Sequence, residues 1–191
     1  MHPVSIDVGR LVRRNVASLY SSLVTRPTGQ AVRLAIENLL AEETGPVSLS
    51  VIDLSQVTVM DFSCADEVVA KLLLRFLTDE RPREAYFLFR GVRELHRDPM
   101  EAVLERHALA AVAETRTGVF ELLGQVGTEG MRVWAEVEAR ERIPRPKEGV
   151  LPGEPRTSMV LRDLLHRRVL FQNPATLEIQ SLSSLLRETA P

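Results

Sequence analysis

Cysteine is nearly absent: Cys64 is the single one in 191 residues. An intramolecular disulfide is excluded, which fits a reducing compartment. Lysine is scarce too. Lys71 and Lys147 are the only two, and arginine supplies the rest of the positive charge. No apolar run approaches the roughly 18 residues of a membrane span. The first residues, MHPVSIDVGRLVRR, lack the apolar core of a signal peptide. A soluble, cytoplasmic protein with no membrane partner is expected. The formal net charge of −2 is too small to call for a strongly acidic or basic partner of the whole chain.

Enzyme signatures are missing as well. There is no G-x-x-x-x-G-K-S/T phosphate loop, no G-x-G-x-x-G and no G-x-S-x-G. The histidines, His2, His96, His107 and His166, do not pair with Cys64 or with each other at zinc-ligand spacing. His96 and Asp98 are close in sequence, and read as a solvated loop with a helix cap. No metal, no cofactor and no catalytic residue is expected, and the protein is expected not to be an enzyme.

What is present is ordinary globular material, 45% apolar, enough for one medium domain with a small appendage. The chain centres on Val47–Leu77. An apolar run rises to Asp53, a polar step follows at Ser55–Gln56, and Val57–Met60 leads to Asp61-Phe62-Ser63-Cys64. A helix pattern begins at once, with Val68, Val69, Leu72, Leu73 and Phe76 on one face. Asp61 and Ser63 are typical N-cap residues, and capping alone accounts for them. A phosphate on Ser63 would also sit in the favourable field of a helix N-terminus. Cys64 reads either as a thiol of lowered pKa or as a small buried residue. Asp66 and Glu67 suit the first turn.

Around this stretch, strands are expected near Val4–Arg14, in the second half of Asn15–Thr25, and at Ala85–Arg90 and Leu109–Ala113, while Val119–Val126 reads as a strand or an irregular helix. Helices are expected at Gln30–Glu43 with Thr28 as cap, at Ala65–Leu77, and from the cap Asp98 and first-turn Pro99 to about His107. This alternation predicts an α/β domain over residues 1–126, a sheet with helices packed on it and right-handed crossovers. The texture then changes. Thr128–Ile143 is a helix candidate, and the Pro-rich 143–155 segment a loop or linker. Thr157 or Ser158 caps a helix over Met159–Val169, and Leu170–Gln180 reads as strand, turn, strand. Residues 127–191 thus form a small α+β module.

The stretch Val51-Ile52-Asp53-Leu54-Ser55 followed by Met60-Asp61-Phe62-Ser63-Cys64-Ala65 resembles the STAS domain, the fold of bacterial anti-sigma-factor antagonists. That family places Asp-Ser-Ser-Gly before a leucine-rich helix. Asp61 matches its Asp, Phe62 stands at its first Ser, Ser63 matches the serine a partner kinase phosphorylates, and Cys64 replaces its Gly. The STAS-like proteins of bacteria and archaea are similar at Asp61–Glu67 and at the Thr25-Arg26 step. The resemblance implies a STAS-like mixed sheet, a partner face at Asp61, Phe62, Ser63, Cys64 and Asp66, and phosphorylation at Ser63. The implied partners are a serine kinase, an anti-sigma factor or a second copy.

The module at 127–191 is similar in outline to a winged helix. Its capped helix carries Arg162, His166, Arg167 and Arg168, with Arg156 before it, and the Pro-rich segment stands where a middle helix is expected. Residues 139–168 hold eight basic residues against four acids, a modest bias toward phosphate. Two readings follow. One is a non-enzymatic regulatory, protein-binding protein switched at Ser63 and acting in transcriptional control. The other is a DNA-binding regulator using the C-terminal module, with the STAS-like part as sensor or dimerisation unit. Packing on the sheet domain or self-association is the plainer role for the tail.

Overall fold

The computed structural model describes residues 3–7, 22–43, 45, 47–144 and 155–189. The expectations for residues 8–21 and for the Pro-rich 145–154 segment lie outside them. The protein is α/β, with mixed sheets and helices, and divides into two compact units, Met1–Gln125 and Val126–Pro191.

The first unit contains a five-stranded sheet. Strands β1 (Pro3–Asp7), β3 (Val47–Asp53), β5 (Glu84–Arg90) and β6 (Ala110–Arg116) run parallel and adjacent in chain order. Strand β7 (Val119–Gly124) closes the edge antiparallel to β6. A separate two-residue ladder pairs β2 (Ser22–Leu23) with β4 (Val59–Met60) in parallel. In β3, Leu49 and Val51 are buried along with Ile52, as are Leu88 and Phe89 in β5. Burial of alternate positions on both faces explains why these strands read as continuous apolar runs.

Three helices cover one face. Helix α1 is Arg26–Ala41. Helix α2 is continuous but changes pitch: α-helical over Phe62–Ala65, π-helical over Asp66–Lys71 and α-helical again over Leu72–Leu77. Helix α3 is Glu94–Arg106. Val32, Ile36 and Leu40 of α1, Val69, Leu72 and Phe76 of α2, and Met100 and Leu104 of α3 share one core with Ile52, Phe87 and Phe89 of the sheet. Phe76 meets Phe87 edge to face, with ring centroids 5.1 Å apart, a favoured aromatic geometry.

In this unit all three helix starts differ from the sequence expectation. Helix α1 begins at Arg26, so Thr28 lies in its first turn and Thr25 is the N-cap. Helix α2 begins at Phe62, so Ser63 and Cys64 are inside it and Asp61 alone is the cap. Helix α3 begins at Glu94, which leaves Pro99 inside the helix. There the Arg93 amide donates to Nδ1 of His96 at 3.3 Å, and His96 is fully buried instead of standing in a solvated loop. The start is set by that local bond, five residues before the proline that looked like a first-turn signal.

The second unit runs α4 (Thr128–Arg140), β8 (Arg142–Ile143), α5 (Pro155–His166), β9 (Leu170–Gln172), β10 (Ile179–Ser181) and α6 (Leu182–Thr189). Glu141 takes φ 62° and ends α4, so Arg142 and Ile143 form a strand where a continued helix was expected. The antiparallel sheet has the order β8-β10-β9. Val133, Trp134, Leu161, Leu164, Phe171 and Ile179 are buried. Asn173 Oδ1 accepts from the amides of Ala175 and Thr176, which shapes the turn between β9 and β10.

Candidate functional site

Asp61 organises the start of α2. Its Oδ1 accepts from the Cys64 amide at 2.7 Å and from the Ser63 hydroxyl at 2.9 Å. Its Oδ2 accepts from the Thr25 amide at 2.9 Å. Burial pushes the Asp61 carboxyl up, but these donors outweigh it and its pKa falls below the ordinary carboxylate value. The structure thus brings together two segments that sequence reading noted apart: the Thr25-Arg26 step and Asp61–Glu67.

Thr25 has φ 75° and ψ 139°, a region that β-branched residues rarely enter. Such strain persists where surrounding contacts over-determine it, and it concentrates at functional sites. Besides the Asp61 bond, the Thr25 carbonyl accepts from the Gly29 amide at 3.2 Å and from the Cys64 thiol at 2.9 Å. Cys64 is buried, and desolvation together with the Asp61 charge pushes its thiol up to about 12. The lowered-pKa reading of Cys64 is therefore overturned: the thiol is a packed donor.

Beneath this corner lies a charged network on the π-helical turn. Asp66 and Glu67 are 6% and 2% exposed. Arg26 bridges them at 2.8 and 2.9 Å. Glu67 also pairs with Lys71 and, at 3.2 Å, with Arg33. Asp66 accepts from His107 Nε2 at 2.9 Å. Burial raises both carboxyls, and the surrounding donors and cations more than offset it, so both pKa values are lowered. Asp66 and Glu67 are thus buried anchors, not a solvated helix-dipole pair. Sequence reading missed Arg26, Arg33 and His107 as their partners. The Glu67–Lys71 pair was legible from its i,i+4 spacing.

Above the network, α2 presents Phe62, 58% exposed, with Ser63 half-buried beside it. Both line a cleft of about 310 Å³ that α3 shares. Of the five residues expected at a partner face, Phe62 is exposed, Asp61 and Ser63 are half-buried, and Cys64 and Asp66 are buried.

In the second unit, Arg162 and His166 of α5 are exposed. Arg167 is bound to Asp163 at 2.7 Å. Arg168 follows the helix at φ 58°. The side chain of Arg156 lies outside the described residues. Much of the basic bias is internally neutralised: Arg140 pairs with Glu136, and Arg142 with Glu178 and Glu188. Among the described residues no group of His, Cys, Asp and Glu is arranged to hold a metal, and no helix is long and apolar enough to cross a membrane.

No family model matches the chain, and neither do any of the curated proteins or solved structures compared with it.

Proposed function

We propose that this chain is a non-enzymatic regulatory protein of the STAS type, and that the start of α2 is the surface that docks a protein partner. The observation that carries the reading is the exposed Phe62 on a helix start clamped from below. Large exposed aromatics on rigid elements are the usual anchors of protein interfaces. Here the strained Thr25, the Asp61 cap and the Arg26–Asp66–Glu67 network fix the anchor in place.

Ser63 is the point at which such a surface would be switched. Its hydroxyl donates to Asp61. A phosphate there removes that donor, adds nearly two negative charges beside the Asp61 carboxylate and disrupts the cap. A serine kinase would be the enzyme that sets the switch. The second reading, DNA binding, draws support from unit two. Its helix–strand–helix–strand–strand sequence and β8-β10-β9 order are similar in outline to a winged helix without a described middle helix, and in that reading α5 would take the recognition position. The ion pairs of Arg140, Arg142 and Arg167 weigh against a strong phosphate footprint.

A photo-crosslinking phenylalanine analogue at position 62, expressed in the native cell, tests the first reading. A discrete crosslinked protein is expected from position 62 and not from Met131, an exposed site in the second unit. Ser63→Glu should abolish that product. Equal labelling from both sites, or indifference to Ser63→Glu, would overturn it. Fluorescence anisotropy with duplex DNA across a salt series tests the second, since phosphate contacts give a steep salt slope.

A further inference from the structure

The cleft beside Ser63 has a chemistry of its own. Its apolar lining is Phe62, Ala102 and Val103, and its polar lining includes Arg26, Ser63 and Arg106. Asp66 is the one carboxylate that lines it, and Arg26 and His107 already hold that group. Arg106 is exposed and has no ion pair among the described residues. Arg26 keeps about half of its side chain exposed, at 49%, while bridging Asp66 and Glu67. The cleft therefore combines an apolar lining with one unpaired positive charge, that of Arg106.

Helix α3 extends the same surface. Leu95, Ala102 and Arg106 are spaced by seven and four residues, which places them on one stripe about 40° wide. Leu95 is 65% exposed, and α2 packs against α3 where both line the cleft. An exposed leucine, a small alanine and an unpaired arginine along one stripe make a track whose Ala102 and Arg106 end lines the cleft with Phe62.

We propose that this track receives an acidic, apolar segment of the protein partner. Its apolar side chain lies against Phe62 and Ala102, and its carboxylate pairs with Arg106. The inference rests on the reading of this helix end as the partner face and names the chemistry of what docks there. Charge complementarity decides the sign: a lysine-rich segment would meet Arg106 and Arg26, whereas a carboxylate meets its counterion. Ser63 then acts by occupancy. A phosphate on it places negative charge in the cleft that the partner's carboxylate would enter.

Selection of a displayed random peptide library on the full chain tests this. The wild type should enrich peptides that set Asp or Glu next to Leu, Ile or Phe. Phe62→Ala and Ser63→Glu should each lower that enrichment by about tenfold or more. Arg106→Glu should reverse the preference toward Lys and Arg. Arg132→Glu, a charge reversal in the second unit, should leave it unchanged. Circular dichroism of each variant checks folding, and Arg106 is exposed enough that its reversal should fold. Enrichment of basic peptides, no enrichment, or an acidic motif indifferent to Arg106→Glu overturns the inference. A partner crosslinked from position 62 alongside any of these leaves the docking face standing and removes only its acidic ligand. Loss of the crosslink with retained acidic selection does the reverse.

Discussion

The amide of Thr25 donates to Asp61 Oδ2 at 2.9 Å across 36 residues of chain, and Thr25 holds φ 75° while doing so. One carboxylate thus caps α2 and pins the entry to α1. Removing it should cost more than an ordinary cap. Cap loss is worth about 1 kcal/mol, and a hydrogen bond to a charged group about 1.5–3 kcal/mol. Asp61→Ala is expected to lose about 2–4 kcal/mol in urea unfolding. Thr25→Gly relieves the backbone at the same corner. It should stay within about 1 kcal/mol of wild type, because relief of strain offsets the entropy of glycine. A Thr25→Gly loss as large as that of Asp61→Ala would show that Thr25 is held by its side chain and not by the clamp.

Gly29 makes the opposite case. Within a helix, Gly→Ala usually gains about 1 kcal/mol. Here a Cβ would meet Cys64 Cα at 2.9 Å and Glu67 Cβ at 3.1 Å. The first of these is backbone, so α1 and α2 would have to separate, and overpacking of this kind costs about 1–3 kcal/mol. Gly29→Ala should therefore destabilise the protein in the same unfolding assay. A more stable variant would mean that the two helices do not approach this closely.

Much of the scaffold is legible in the sequence because it depends on local period. The apolar runs of β3 and β5 and the Val68–Phe76 stripe of α2 announce themselves. What is not legible is set by contacts far along the chain or by unusual local bonds. Arg26 and Glu67 are 41 residues apart, and no spacing rule joins them. Thr28 has the look of a cap, yet Thr25 is the cap with no side-chain cap bond. Pro99 has the look of a first turn, yet the helix starts on Arg93 through the ring of His96. The site was visible as two fragments of one resemblance, and only the fold shows that they form a single corner.

His96 should give stability a pH dependence near neutrality. Burial lowers its pKa from the ordinary value of about 6.5, and the Arg93 charge adds to this. Its Nε2–H donates to the Val57 carbonyl at 3.0 Å and Nδ1 accepts from the Arg93 amide, so the folded ring is neutral. Below about pH 6.5 the unfolded chain binds a proton that the folded chain does not. Stability is therefore complete above that pH and falls as pH drops through it, by at most about 1.4 kcal/mol per unit. Asp61, Asp66 and Glu67 act lower down: their depressed values give stability that is present above about pH 4.5 and lost as pH falls further. Denaturant midpoints between about pH 8 and 5 should decline in wild type and flatten in His96→Gln. Identical profiles for the two would place the proton elsewhere.

Cys64 gives a direct readout of whether this corner opens. The buried thiol, its pKa pushed up to about 12, donates to the Thr25 carbonyl. Thiolate is the reactive form, and almost none exists at neutral pH. A thiol reagent should leave the native protein untouched and titrate one group in denaturant. Asp61→Ala removes the cap and the Thr25 clamp, and local opening then precedes global unfolding. Its Cys64 should react faster under native conditions, by more than the global stability loss explains, whereas Gly130→Ala in the second unit should not change the rate. Rapid labelling of the wild type at neutral pH would place Cys64 at the surface and would overturn the packed corner on which the proposed role of Phe62 depends.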